Sequence, residues 1–170
     1  EKMAKLPTSA PSMVIYPLYA ALPAHEQLKA FRTPPNNKHL RKVVLATNIA
    51  ETSVTIHGIK YVIDTGVVKV RQHHAKTGIE SLVVVPISKA EGWQRSGRAG
   101  RVSKGVCYRL FTEQTFQTLR ETRVPEVLRT GLSSVVLQLK ALGIDDVAHF
   151  DFMSKPKTEA IIRALEKLVA

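Results

Sequence analysis

Three arginines at three-residue intervals, Arg95, Arg98 and Arg101, alternate with Gly97 and Gly100 in the segment Gln94-Arg95-Ser96-Gly97-Arg98-Ala99-Gly100-Arg101. On a helix or helical turn this spacing predicts one shared face for the guanidinium groups. A guanidinium fork binds phosphate oxygens in pairs, and a glycine lets backbone come close to a ligand. The chemistry that suits such a cluster is phosphate recognition, in a nucleotide or along a nucleic-acid strand. Spacing alone leaves open a general arginine–glycine patch that grips RNA. Against that reading, Gln94 opens the cluster directly after a capped amphipathic turn. Strand-forming runs also lie on both sides, unlike a low-complexity tract.

The whole-chain composition points the same way. The 170 residues carry 25 Lys+Arg against 14 Asp+Glu, a formal net charge of +11. That balance favours a polyanionic partner but does not separate an enzyme from a binding protein. At 44% hydrophobic, the chain can build an ordinary core, which excludes wholesale disorder. The one cysteine, Cys107, excludes an internal disulfide framework, fits a reducing compartment, and is expected to be buried and inert. No apolar run approaches the roughly 20 residues of a membrane helix, and no signal-peptide pattern opens the sequence, so no membrane partner is expected. The length fits one compact domain. Yet the first residues read as the tail of a helix and the last stop in mid-helix, so a fragment of a longer protein is expected.

The elements that must position the cluster follow from pattern. Met13–Tyr16 is a short β-prone run, and Ala24–Arg32 reads as a helix opening at Pro23. The breaker cluster Thr33–Asn37 separates it from Lys42–Thr47, a continuous apolar run of the buried parallel-strand kind, and Tyr61–Asp64 is a second. Strand, short crossover, strand predicts an α/β fold with a parallel sheet flanked by helices. Val67–Arg71 and Ile79–Val85 flank a basic tip, His73 to Gly78, and read as a β-hairpin spanning 66–86. Ser88 with Glu91 three residues on forms a candidate capping box for a helix to Arg95, and Gly105–Phe111 is a further strand. From Glu126, apolar residues at Leu128, Leu132, Val135, Val136, Leu139 and Leu142 predict a helix closed by Gly143. After an extended linker at 151–156, Thr158–Val169 is an amphipathic helix with Ile161, Ile162, Leu165 and Leu168 on one face. A boundary near Pro156 is expected, since that helix has nothing nearby in sequence to pack on.

Two ordered motifs make the resemblance specific. Gln94–Arg101 is similar to motif VI (Q-R-x-G-R-x-G-R) of superfamily 2 helicases. Ala46–Ile56, with its Thr-Asn-Ile-Ala-Glu-Thr-Ser run, resembles motif V as the DEAH-box ATP-dependent RNA helicases write it. Tyr19–Pro23, Ser88–Ala90 and Phe150–Met153 match further strings of that family in order, so the resemblance covers essentially the whole chain. It implies the second RecA-like domain over 1–155, with 156–170 as the start of a winged-helix domain. It also implies intracellular RNA processing, in the nucleus, nucleolus or cytoplasm.

In that family two RecA-like domains clamp ATP with Mg²⁺, the metal being held mainly by the first. No G-x-x-x-x-G-K-[ST] loop and no Asp-Glu dipeptide occur here, so the chain is expected to be inactive alone. Carried over residue by residue, Arg98 and Arg101 are the arginine fingers and Gln94 orients the attacking water, while Arg95 is expected to pack rather than to touch nucleotide. Thr47 and Asn48 would hold an RNA phosphate. Ser53 and Thr55 would turn toward the nucleotide, and Phe31 would stack on the base. Arg71 and Lys76 belong to the hairpin that the family uses at a duplex junction. Adjacent His73 and His74 point to opposite sides of a strand and lack further ligands, so no metal site is expected. His57 departs from the acidic residue that several members carry there, which puts ribose recognition in doubt. The implied partners are RNA, an NTP, the first RecA-like domain and a G-patch-type activator. The alternative class is a non-catalytic basic module that binds RNA or docks on a partner.

Overall fold

The structure, a computed structural model, describes residues 12–32, 40–52, 54–73 and 80–169. Ser53 and residues 74–79, which include His74 and Lys76 of the expected hairpin tip, lie outside the described residues, as does the 33–37 breaker cluster. The chain divides into two compact units, Glu1–Val68 with Ile87–Glu121, and Lys69–Pro86 with Thr122–Ala170.

The first unit is α/β. Strand β1 (Ser12–Leu18) is followed by helix α1 (Ala24–Phe31), whose chain enters at Pro23, and returns as β2 (Leu40–Ala46). The two strands pair in parallel from Ser12 opposite Leu40 to Leu18 opposite Ala46. A short helix α2 (Ile49–Thr52) leads to β3 (Tyr61–Asp64). That strand pairs in parallel with β6 (Val106–Arg109), from Tyr61 opposite Val106 to Asp64 opposite Arg109. Helix α3 (Lys89–Ser96) packs on α2 and β3. Helix α4 (Glu113–Thr118), capped by the Thr112 hydroxyl, brings Phe116 under α3. A Cβ at Gly92 would come within 3.0 Å of the Phe116 ring, so glycine sets this helix spacing. Between them the Arg109 guanidinium lies 4.0 Å from the Phe116 ring centroid and 4.9 Å from that of Trp93.

The expected full burial of these strands is corrected. Asp64 on β3 faces α3 and is buried, but Tyr61 and Ile63 on the other face stand open, as do Val106, Tyr108 and Leu110 beside them, and Leu45 on β2. Side chains alternate across a strand, so an all-apolar run is buried only where both faces are covered. Among the described residues one face of the β3–β6 pair is covered.

The second unit holds the paired strands β4 (Val67–His73) and β5 (Glu80–Pro86), of which β4 begins in the first unit. Its helices are α5 (Ser133–Ala141) and α6 (Thr158–Val169). Leu132, Val136, Leu139, Val147, Ile161 and Ala164 form one buried apolar cluster. The final helix therefore has its packing partner nearby in sequence, contrary to expectation. The expected helix from Glu126 is also broken, into a 3-10 turn at Glu126–Leu128 and α5, with Thr130 and Gly131 in the gap. The Thr130 hydroxyl donates to the Glu126 carbonyl, a local bond that competes with helix continuation. At the other end the expected cap holds. Gly143 has φ +80, with its amide on the Lys140 carbonyl and that of Ile144 on the Leu139 carbonyl, a Schellman closure. On α6, Ile161 and Ala164 are buried while Ile162 and Leu168 are exposed, because the buried stripe steps by three.

Candidate phosphate-binding site

Helix α3 starts on a complete capping box. The Glu91 amide donates to the Ser88 hydroxyl at 3.3 Å and the Ser88 amide donates to the Glu91 carboxylate at 2.8 Å, both residues being buried. Its other end unwinds through Gly97 into a tight turn, with the Arg98 amide on the Arg95 carbonyl and the Ala99 amide on that of Ser96. Ala99 is buried against the start of β6. A Cβ at Gly105 would collide with the Ala99 carbonyl, so only glycine admits that approach.

Because the helix ends at Ser96, the three arginines do not share one face. Arg95 turns inward, its Nε donating to Glu51 at 2.9 Å and its Nη1 to Asp64 at 2.8 Å and to the Val67 carbonyl at 3.2 Å. Burial alone would pull this guanidinium down, but the bonds to Asp64 and Glu51 outweigh it and hold it above its ordinary value. Arg98 and Arg101 turn to the segment after α2. Arg98 donates to the Gln94 and Val54 carbonyls, both at 3.3 Å, and Arg101 to the Thr55 hydroxyl. Burial, and next the like charge of Arg101, hold the Arg98 guanidinium below its ordinary value. An arginine still stays charged at any physiological pH, so two cations sit side by side where an anion would relieve them.

Gln94 is exposed, and among the described residues its side-chain amide makes no hydrogen bond within the protein. Gly100 has open space where a Cβ would stand and no left-handed backbone, so nothing in the fold requires glycine there. Thr47 and Asn48 are exposed at the start of α2, but the Thr47 amide is already given to the Leu18 carbonyl at 3.1 Å, leaving its hydroxyl. Phe31 is half-buried at the end of α1, and among the described residues no bond or ring contact joins it to the arginines. Arg71, in the second unit, is exposed, and its carbonyl accepts from Arg129 at 2.6 Å. His57 is exposed in the turn before Gly58. Cys107 is half-buried, and burial pushes its thiol up, keeping it protonated. Among the described residues no group of three or more His, Cys, Asp or Glu is placed to hold a metal ion, and no helix is long and apolar enough to cross a membrane.

Residues 2–103 match the family of the helicase conserved C-terminal domain, a stretch that holds both the Thr47–Thr55 segment and the arginine cluster. The chain belongs to this family. The helicase C-terminal domain is 50% identical over 163 residues to mouse ATP-dependent RNA helicase DHX33, covering 96% of this chain and 23% of that protein. It is 53% identical to human probable ATP-dependent RNA helicase DHX35 (92% and 22% covered). To the Arabidopsis thaliana pre-mRNA-splicing factor ATP-dependent RNA helicase DEAH10 it is 49% identical (99% and 23% covered). The resemblance to DEAH-box RNA helicases is thus borne out, and the chain spans about a quarter of the length of these curated relatives. Among solved structures it matches the E. coli DExH-box NTPase HrpB with a TM-score of 0.78 and 35% identity, over 93% of this chain and 19% of that one. The RecA-like α/β fold follows.

Sequence reasoning missed two carboxylates. Glu51 lies inside the motif V run without an expected role, and Asp64 ends an otherwise apolar strand. The acid in the apolar run was the available signal, because a buried charge calls for a partner.

Proposed function

We propose that the helicase C-terminal domain supplies the phosphate-clamping half of an NTP-hydrolysing site in an ATP-dependent RNA helicase. The observation that carries this is the convergence of Arg98 and Arg101 on the Val54–Thr55 segment. Phosphoryl transfer asks a protein chiefly for position and for charge at the phosphates. Arg98 and Arg101 neutralise the charge that develops on the transferred group, and Thr55 orients Arg101. Gln94 holds the attacking water through its free amide, a neutral group that positions rather than removes a proton. Gly100 leaves room for the phosphates to approach. Ser53 and Phe31 belong to this reading as nucleotide contacts, on the motif correspondence alone.

Magnesium with ATP would add charge neutralisation at the phosphates. Its protein ligands, the Walker loop and the Asp-Glu pair are assigned to a first RecA-like domain of the intact protein. RNA is gripped without reading its bases, by the Thr47 hydroxyl, Asn48 and the Arg71 and Lys76 hairpin, which is phosphate recognition. The splicing role in the Arabidopsis relative's name supports a part in RNA processing within the cell, with a G-patch-type activator as a further partner.

The test uses the intact protein. Arg101→Ala should lower RNA-stimulated ATP hydrolysis by about 10³-fold or more. Unchanged hydrolysis removes the finger assignment. RNA affinity should fall steeply between low and moderate salt, and a flat response removes the phosphate contacts.

A further inference from the structure

The most deeply placed charge of the first unit lies outside the roles given above. The Arg95 and Glu51 side chains retain 16% and 8% of their exposure, and the Asp64 side chain none. One guanidinium therefore ties three separate pieces of chain, namely helix α2 through Glu51, the end of β3 through Asp64, and the first residue of β4 through the Val67 carbonyl. Asp64 is itself fixed, its Oδ1 accepting from the Gly66 amide at 3.0 Å, while Oδ2 is buried without a partner.

Each tied piece leads to a ligand-facing group of the proposed function. Arg95 follows Gln94 on α3 and precedes Arg98, helix α2 follows Thr47 and Asn48 directly, and β4 itself carries Arg71. A displacement of α2 is therefore felt at the helix whose end leads into Arg98 and Arg101. Two carboxylates against one guanidinium also make the link costly to leave half-made, because a buried carboxylate without its cation finds no water to replace it.

We propose that Arg95 is a positioning residue that couples the RNA-facing α2 segment to the arginine fingers through Glu51 and Asp64. The inference rests on the NTPase reading above. Lysine keeps the charge but presents a point in place of a planar fork, so it cannot hold the three acceptors in this geometry.

The experiment compares the intact wild-type protein with Arg95→Lys and, as a gentler variant that keeps a hydrogen-bond acceptor, Glu51→Gln. Three quantities are read well below the unfolding temperature: kcat for ATP with and without single-stranded RNA, KM for ATP, and amide exchange in α2 and α3. The expected result is a loss of RNA-stimulated kcat of about 10- to 100-fold, KM within about threefold, and faster exchange in α2 and α3 together. RNA stimulation within twofold of wild type in both variants overturns the coupling. Exchange that rises throughout the domain with activity lost in proportion also overturns it, since that is merely a structural role. If the wild-type protein itself hydrolyses no ATP, the NTPase reading fails first, and the inference with it.

Discussion

Different kinds of contact pin the key elements of the two units. In the second unit, α5 and α6 close on a cluster of aliphatic side chains, Leu132, Val136, Leu139, Val147, Ile161 and Ala164, with no buried charge among them. In the first unit the elements around the proposed phosphate site are pinned by polar groups, the Arg95 link to Glu51 and Asp64 and the Ser88–Glu91 box. Apolar contacts are non-directional and tolerate a slide; a guanidinium fork between two carboxylates does not. The lesson is that the elements proposed to set two arginines against a phosphate use directional bonds, while the α5–α6 pair, which is given no ligand role, uses area.

This contrast can be broken in steps of decreasing size. A cut into the first unit's chemistry should cost most. Arg98→Ala in the intact protein should reduce turnover by about 10³-fold or more and leave the unfolding midpoint nearly unchanged, since the side chain reaches only two carbonyls at 3.3 Å. A cut into the second unit's area should do the reverse. Ile161→Ala, at a site 1% exposed, should lose about 2–5 kcal/mol in denaturant unfolding while single-turnover hydrolysis stays within twofold. A turnover loss of tenfold there would erase the distinction between the units.

Gly100→Ala sharpens the comparison at an intermediate size. The added methyl meets no atom within 4 Å, so stability should hold, yet ATP turnover should drop, by up to about 10²-fold if the phosphates are displaced by an ångström. Two caps give a matched pair at the small end. Ser88→Ala removes the hydroxyl that starts α3, and Gly143→Ala strains the left-handed residue that ends α5. Each should cost about 1 kcal/mol in unfolding, but only Ser88→Ala should also lower turnover.

The difference between the units is also a difference in legibility. The helical pair could be read from a period of three to four apolar residues, and Gly143 and the Ser88–Glu91 box from local spacing, because those signals are contained within a few residues. The Arg95 link could not, because its partners lie 44 and 31 residues away and nothing in the local pattern names them. The equal spacing of the three arginines even suggested a single face, and the helix end at Ser96 split them. Likewise the apolar runs of β2 and β3 announced strands correctly but not their exposure, which depends on what covers each face.

The central claim is that this chain holds one half of a divided hydrolytic site, arginines and a water-positioning glutamine without a Walker loop. It is tested most directly by phosphate release from ATP, measured for the 170-residue chain alone and for the intact protein, each with and without RNA. The account predicts no release above background from the chain alone and RNA-stimulated release from the intact protein. Release from the isolated chain at a rate comparable to that of the intact protein would contradict it.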